Sequence, residues 1–385
     1  MKDLLQIANQ TAKLNIDWEA IEYAMSSLVL PMSRTQQNPD YHAECDVWTH
    51  TKMVCEALVK LDAFRLLSED RQQAAFLAAL LHDIGKIPTT RWEDEKWTSP
   101  NHALVGSKMA RQFLWQELGL CGTREKQQFR ETVCNLIRYH SFPAYAIDDP
   151  DGKRKLIAIA ANGQTCPMFS IELLCVLCEA DALGRKCEDK ARMLEQIDLC
   201  AELAQENNCY DHSFAFPTAH TRYSYLTGKD ISLEVELYDD TWGEVILISG
   251  LPGTGKDTWI QENCPDLPMI SLDEIRREMK ISPTERQTKV IELARDRAKD
   301  FLRRKQAFVW NATNLSPMVR GKQIKLFTQY HASTRIVYLE TEWTQQLQRN
   351  AGRTDAVPEE AICHMMEELV LPEAKEAHRV DWYCV

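Results

Sequence analysis

No stretch of the chain approaches the ~18 consecutive apolar residues that a membrane-crossing helix needs. The opening residues, Met1-Lys2-Asp3-Leu4-Leu5, lack the apolar run of a secretory leader. A soluble, cytoplasmic chain with no membrane partner is therefore expected. Internal repeats and low-complexity tracts are missing as well. Positive charge is in deficit, the formal net charge being -12. That balance argues against broad contact with a nucleic-acid backbone, which attracts Lys and Arg. It still permits grip on a strand end, through a local basic groove or through bound divalent ions that the sequence count omits. Cysteine is plentiful at thirteen residues but scattered, partly within apolar helical stretches such as Leu174-Cys175-Val176-Leu177-Cys178. Buried free thiols in a reducing compartment are the simpler reading.

At 385 residues the chain is long enough for two domains with separate cores. Up to about residue 204 apolar residues recur at three and four spacing, as in Val54, Leu58 and Leu61, which predicts an all-α segment. Residues 74–81 are apolar nearly all round and predict a buried helix. Breaks at Pro39-Asp40, Pro100-Asn101, Pro143 and 148–152 are too short to split the segment. Residues 205–241 carry Tyr210, Phe214, Phe216, Tyr223 and Tyr225, then acidic Asp239-Asp240, and read as a connector packed on a surface. From 242 to 385 strand-like runs (245–248, 269–270, 307–310, 335–339) alternate with helical ones, including a long helix over 284–305 and helices to the end. That order predicts an α/β domain with a parallel sheet flanked by helices.

Four histidines and two aspartates stand out in the first segment. His50 lies at the start of a helix, His82-Asp83 ends the buried one within Leu80-Leu81-His82-Asp83-Ile84-Gly85-Lys86, His102 begins a helix, His140 ends one, and Asp181 follows Glu179-Ala180. Imidazole with carboxylate suits Mn, Fe, Ni, Co or Zn, and such a set can hold one or two ions. The order resembles the HD phosphohydrolase superfamily. Matched residue by residue, the resemblance implies that His50, His82, Asp83 and Asp181 hold a first metal, and that His102 and His140 add a second. The sequence Leu-His-Asp-Ile-Gly-Lys followed by Pro88-Thr89-Thr90-Arg91 is also similar to the HD domain of bacterial CCA-adding enzymes, which implies 2′,3′-cyclic phosphates as substrates. Lys86, one turn from Asp83, and Arg91 are candidates for contact with the phosphate. His42, His212, His220, His331, His364 and His378 lack such context and read as surface or core residues.

Gly250-Leu251-Pro252-Gly253-Thr254-Gly255-Lys256-Asp257-Thr258 follows a strand-like run and reads as a phosphate-binding loop at a helix N-terminus. Lys256 is expected to bridge the β- and γ-phosphates of ATP or another NTP. Asp257 stands where a hydroxyl residue is usual, so the Mg2+ contact falls either to its carboxylate, directly or through water, or to Thr258. Asp273 follows the next strand and is placed to take a proton from an attacking hydroxyl; Arg276 shares its helix face. Together with Asn311-Ala312-Thr313-Asn314-Leu315-Ser316-Pro317 and Arg349-Asn350-Ala351-Gly352-Arg353, these motifs resemble the phage-type 5′-hydroxyl polynucleotide kinases. The resemblance implies that Asp273 is the general base, Arg276 an acceptor clamp, and Arg349 and Arg353 lid arginines; Arg320 also matches. Asn311 departs from the pattern, since many relatives carry an aspartate there.

The two halves in series look like the bacterial HD-Pnk end-healing enzymes. The resemblance implies hydrolysis of 2′,3′-cyclic phosphate or 2′/3′ phosphate ends, phosphorylation of 5′-hydroxyl ends of RNA or DNA, and a ligase acting downstream. A small-molecule pair, an HD nucleotidase fused to a nucleoside or metabolite kinase, is the alternative. A sensor in which nucleotide gates the HD activity is a third reading.

Overall fold

The computed structural model describes Leu4 and residues 16–44, 46–282, 285–353 and 355–385. The chain folds as two compact units. The first comprises the chain up to Leu120 and Glu125–Phe214, the second Cys121–Arg124 and Ala215–Val385. Among the described residues, no helix is long and apolar enough to cross a membrane.

The first unit is helical, and its helices start where short polar side chains can satisfy their open amides. Asp46 accepts from Thr49 N at 2.9 Å at the head of Val47–Leu58, and Ser170 Oγ from Leu173 N at 3.1 Å at the head of Ile171–Gly184. These two helices pack on each other and on Glu69–Leu81, whose residues 74–81 are all buried, as their apolarity predicts. Helices His102–Gln116, Arg124–Tyr139 and Lys190–Glu206 complete the set that matters for the site. One feature departs from the all-helical expectation. Strands β1 (Arg91–Glu93) and β2 (Lys96–Thr98) form an antiparallel hairpin, with Trp92 paired to Trp97. Its turn residues Asp94 and Glu95 have φ of 47° and 61° without glycine or asparagine, so no turn signature marked it.

The second unit is a five-stranded parallel sheet in the order β4-β5-β3-β6-β7 with helices around it. Its strands are β3 (Glu244–Ser249), β4 (Met269–Ser271), β5 (Val309–Asn311), β6 (Ser333–Glu340) and β7 (Arg379–Cys384). Val245 and Leu247 enter one core with Ile270, Phe308, Trp310 and Phe327, while Ile246 and Ile248 enter another with Trp259, Val337 and Leu339. Burial on both faces explains why the central strand reads as a continuous apolar run. β7 corrects the expectation of helices to the end. After the helix Glu359–Glu368 the chain returns as an edge strand beside β6, tied by Arg335 Nε to Asp381 Oδ2 at 2.6 Å. Half-buried, with charged residues at two of its six positions, it carries a weak strand signal. The long helix spans Thr288–Arg303; its expected start at residue 284 lies outside the described residues. In the 205–241 stretch, Thr218 caps the helix Ala219–Leu226, and Tyr223 stacks on His378 with ring centroids 4.3 Å apart.

Candidate active sites

In the first unit, the buried helix Glu69–Leu81 delivers His82 and Asp83 from a rigid apolar rod. Gly85 lets the next helix come close: a Cβ there would lie 2.0 Å from His102 O and 2.4 Å from Gly106 N. His102 therefore lies across from Asp83. The imidazoles are oriented by their own chain. His82 Nδ1 lies 2.8 Å from Ala79 O, His102 Nδ1 2.9 Å from Ser99 O, and His140 Nδ1 2.7 Å from Ile137 O. A carbonyl only accepts, so each Nδ1 carries a proton, and in the neutral ring Nε2 keeps its lone pair. His50 Nδ1 is held instead by a carboxylate, 2.8 Å from Glu44 Oε1.

The Nε2 atoms converge on two carboxylates. His50 Nε2 is 3.0 Å from Asp181 Oδ1 and 3.8 Å from Asp83 Oδ2. His82 Nε2 is 3.2 Å from Asp83 Oδ2 and 3.9 Å from Asp181 Oδ1, and His102 Nε2 is 3.6 Å from Asp83 Oδ1. His50, His82 and Asp83 form one set of ligand atoms and Asp83, His102 and His140 a second, each within 4.8 Å. All six residues singled out in the sequence thus come together, with Asp83 common to both sets. The donors fit divalent transition metals: His82 Nε2 and both Asp83 oxygens are buried without a well-aligned hydrogen bond. Burial works against charge on Asp83, yet Lys86 and His82 beside it hold its carboxyl well below the usual carboxylate range. Asp181 is lowered in the same way, by Arg185 and His50 against the effect of burial. Burial pushes His140 down to about 3, which keeps it in the neutral, ligating form.

The surroundings of the cluster were not visible in the sequence. Lys86 Nζ lies 2.8 Å from Asp83 Oδ2, 2.6 Å from Gln37 Oε1 and 3.5 Å from His42 Nε2. Two of these are hydrogen-bond contacts and the third is an ion pair, so the ammonium braces Asp83. Glu44 Oε1 also meets His42 Nδ1 at 2.9 Å, which makes His42 a buried partner of the cluster. Arg185 grips Asp181 at 2.5 and 3.1 Å. Arg91, by contrast, sits on the exposed hairpin and pairs with Glu93 at 2.9 Å.

In the second unit, β3 runs into the glycine loop and the loop into the helix Lys256–Asn263. Gly253 has φ of 81°, and a Cβ there would lie 2.6 Å from Gln346 O, so the turn is closed to other residues. Thr254 Oγ1 donates to Leu251 O at 2.9 Å, and Gly250 N to Thr313 O at 3.0 Å. Lys256 Nζ folds over the loop onto Gly250 O (3.1 Å) and Leu251 O (2.7 Å). Burial lowers its pKa to about 8, against the raising effect of Asp257; Arg353 and Asp273 also act on it. Asp257 and Thr258 are exposed in the first turn of the helix. Asp273 lies in the first turn of Leu272–Met279, bonded by Arg276 Nη1 and 4.0 Å from Arg353 Nη2. A Cβ placed on Gly255 would sit 3.6 Å from Arg349 Nη1, so this arginine also reaches the loop. Arg320 is different. It is fully buried and bonds Glu376 and the carbonyls of Asn314, Leu315 and Val370, a structural clamp.

Comparison with protein-family models gives two matches, the HD domain over residues 47–185 and an AAA domain over residues 245–372. The first spans the whole histidine–aspartate cluster from His50 to Asp181; the second spans the glycine loop, Asp273 and the arginines. The chain is therefore an HD phosphohydrolase-type domain joined to a P-loop, kinase-like nucleotide-binding domain.

Proposed function

We propose that the chain heals broken nucleic-acid ends. Its first domain removes 2′,3′-cyclic phosphate or 2′/3′ phosphate, and its second transfers the γ-phosphate of ATP or another NTP to a 5′-hydroxyl of RNA or DNA. The observation that carries this reading is Asp273, which meets Arg276 and Arg353 and acts electrostatically on the loop lysine yet has a side chain 64% exposed. A base open to solvent suits the end of a polymer, which a closed pocket of the kind that buries small ligands would exclude.

In the second domain the loop amides and Lys256 hold the β- and γ-phosphates. Asp273 takes the proton of the attacking hydroxyl, Arg276 holds the acceptor, and Arg349 and Arg353 stabilise charge on the transferring group. Mg2+ bound with the nucleotide neutralises phosphate oxygens. In the first domain His50, His82, Asp83 and Asp181 would hold one Mn, Ni, Co, Zn or Fe ion, and Asp83, His102 and His140 would hold a second. Bound ions supply a water ionised near neutral pH and neutralise the phosphoryl oxygens. Lys86 acts by positioning Asp83. The products, a hydroxyl on one side and a 5′-phosphate on the other, are what a ligase consumes.

The test offers the full chain γ-labelled ATP with a 5′-hydroxyl oligonucleotide or a free nucleoside as acceptor. Label in the oligonucleotide is the expected result. Label in the nucleoside alone would replace this reading with an HD nucleotidase fused to a metabolite kinase.

A further inference from the structure

Asp257 is out of place twice. In the sequence it takes the position of the hydroxyl that follows the loop lysine. In the fold it is an exposed carboxylate in the first turn of the helix Lys256–Asn263, where the open amides would face phosphates. A carboxylate there repels a triphosphate unless a cation lies between them.

The fold supplies the other half of the pattern. Asn311 Nδ2 donates to Asp257 Oδ1 at 2.7 Å. Asn311 is the last residue of β5, in register with Ile248 on the loop strand β3, and only 6% exposed. P-loop enzymes divide the magnesium contacts between the hydroxyl after the lysine and an aspartate on another strand. One position is then neutral and the other anionic. Here the sum is the same and the places are reversed.

We propose that Asp257 and Asn311 have exchanged these roles. The Asp257 carboxylate is the acidic group that meets the divalent ion on the nucleotide, and the buried Asn311 amide orients it. One hydrogen bond from the amide uses one of the four lone-pair sites of the carboxylate and leaves the rest for a cation. The inference rests on the reading of the loop as a nucleotide site.

The experiment titrates Mg2+ into the full chain with a fluorescent ATP analogue, and repeats the nucleotide titration in EDTA. In wild type, Mg2+ tightens binding. Asp257→Thr raises the half-saturating Mg2+ by about tenfold or more, and Asp257→Asn, which is isosteric, does the same. In EDTA both variants bind nucleotide at least as tightly as wild type, because a like charge is gone; a misfolded variant would lose binding in both arms, and the isosteric variant then decides. Asp257→Thr combined with Asn311→Asp brings the Mg2+ requirement back toward the wild-type value. An unchanged Mg2+ requirement in Asp257→Asn, or no recovery in a double variant that binds normally in EDTA, overturns the exchange and leaves the nucleotide site standing. Absence of nucleotide binding by wild type in both arms overturns both.

Discussion

Glu44 is a single carboxylate that meets two histidines. Its Oε1 meets Nδ1 of both His42 and His50, so His42 turns its Nε2 lone pair toward Lys86 and the His50 ring is held beside Asp181. Replacing it with alanine leaves the His50 ring without its outer carboxylate. Glu44→Ala is expected to weaken divalent-metal affinity about 10–100-fold, as loss of an outer partner of a ligating histidine does. Calorimetric metal titration, with a thermal melt as control for folding, checks this. Lys256 offers a test through protons. Burial holds its pKa near 8, below the ordinary value for lysine. Bound phosphates favour the ammonium and raise that pKa, so nucleotide binding takes up a proton where the free site is largely neutral, above pH 8, and little at pH 7. Calorimetry in buffers of different ionisation enthalpy reads the uptake directly; equal uptake at both pH values would contradict it.

Elements place these residues, and Gly85 shows how tightly. The backbone of His102–Gln116 crosses it at a distance where a methyl group has no room. Gly85→Ala is expected to cost about 1–3 kcal/mol of stability, and to disturb the His102 side of the cluster while His50, His82 and Asp83 stay in place. Denaturant melts give the first effect, and loss of one step from a two-step metal titration the second. The same elements explain what could be read in advance. His50, His82, Asp83, His102, His140 and Asp181 were singled out because their order resembles the HD pattern, and the fold brings their side chains together. Gln37, His42 and Glu44 were not, since the stretch before Val47–Leu58 has no periodicity and its polar residues gain meaning only when folded against Lys86 and His50. In the second domain the alternation of strands and helices predicted the parallel sheet. β7 escaped because an edge strand half-open to water need not look apolar, and the Asp257–Asn311 bond escaped because it joins a helix to a strand 54 positions on.

The molecule as a whole carries a candidate metal site in one compact unit and a glycine-rich phosphate-type loop in the other. If the two sites are independent catalysts, damage to one leaves the other intact. Asp273→Ala is expected to slow phosphoryl transfer about 10²–10⁴-fold, the contribution of a general base, with hydrolysis of a cyclic-phosphate RNA end unchanged. Parallel assays on the same preparation check this, and hydrolysis that required added nucleotide would point instead to a sensor. The placement of both units on one polypeptide also fixes their ratio. On the proposed end-healing reading, a single cut in a strand creates one end of each kind, and a chain that carries both domains is made with the two capacities in equal number, with no need for the cell to balance the synthesis of two separate proteins.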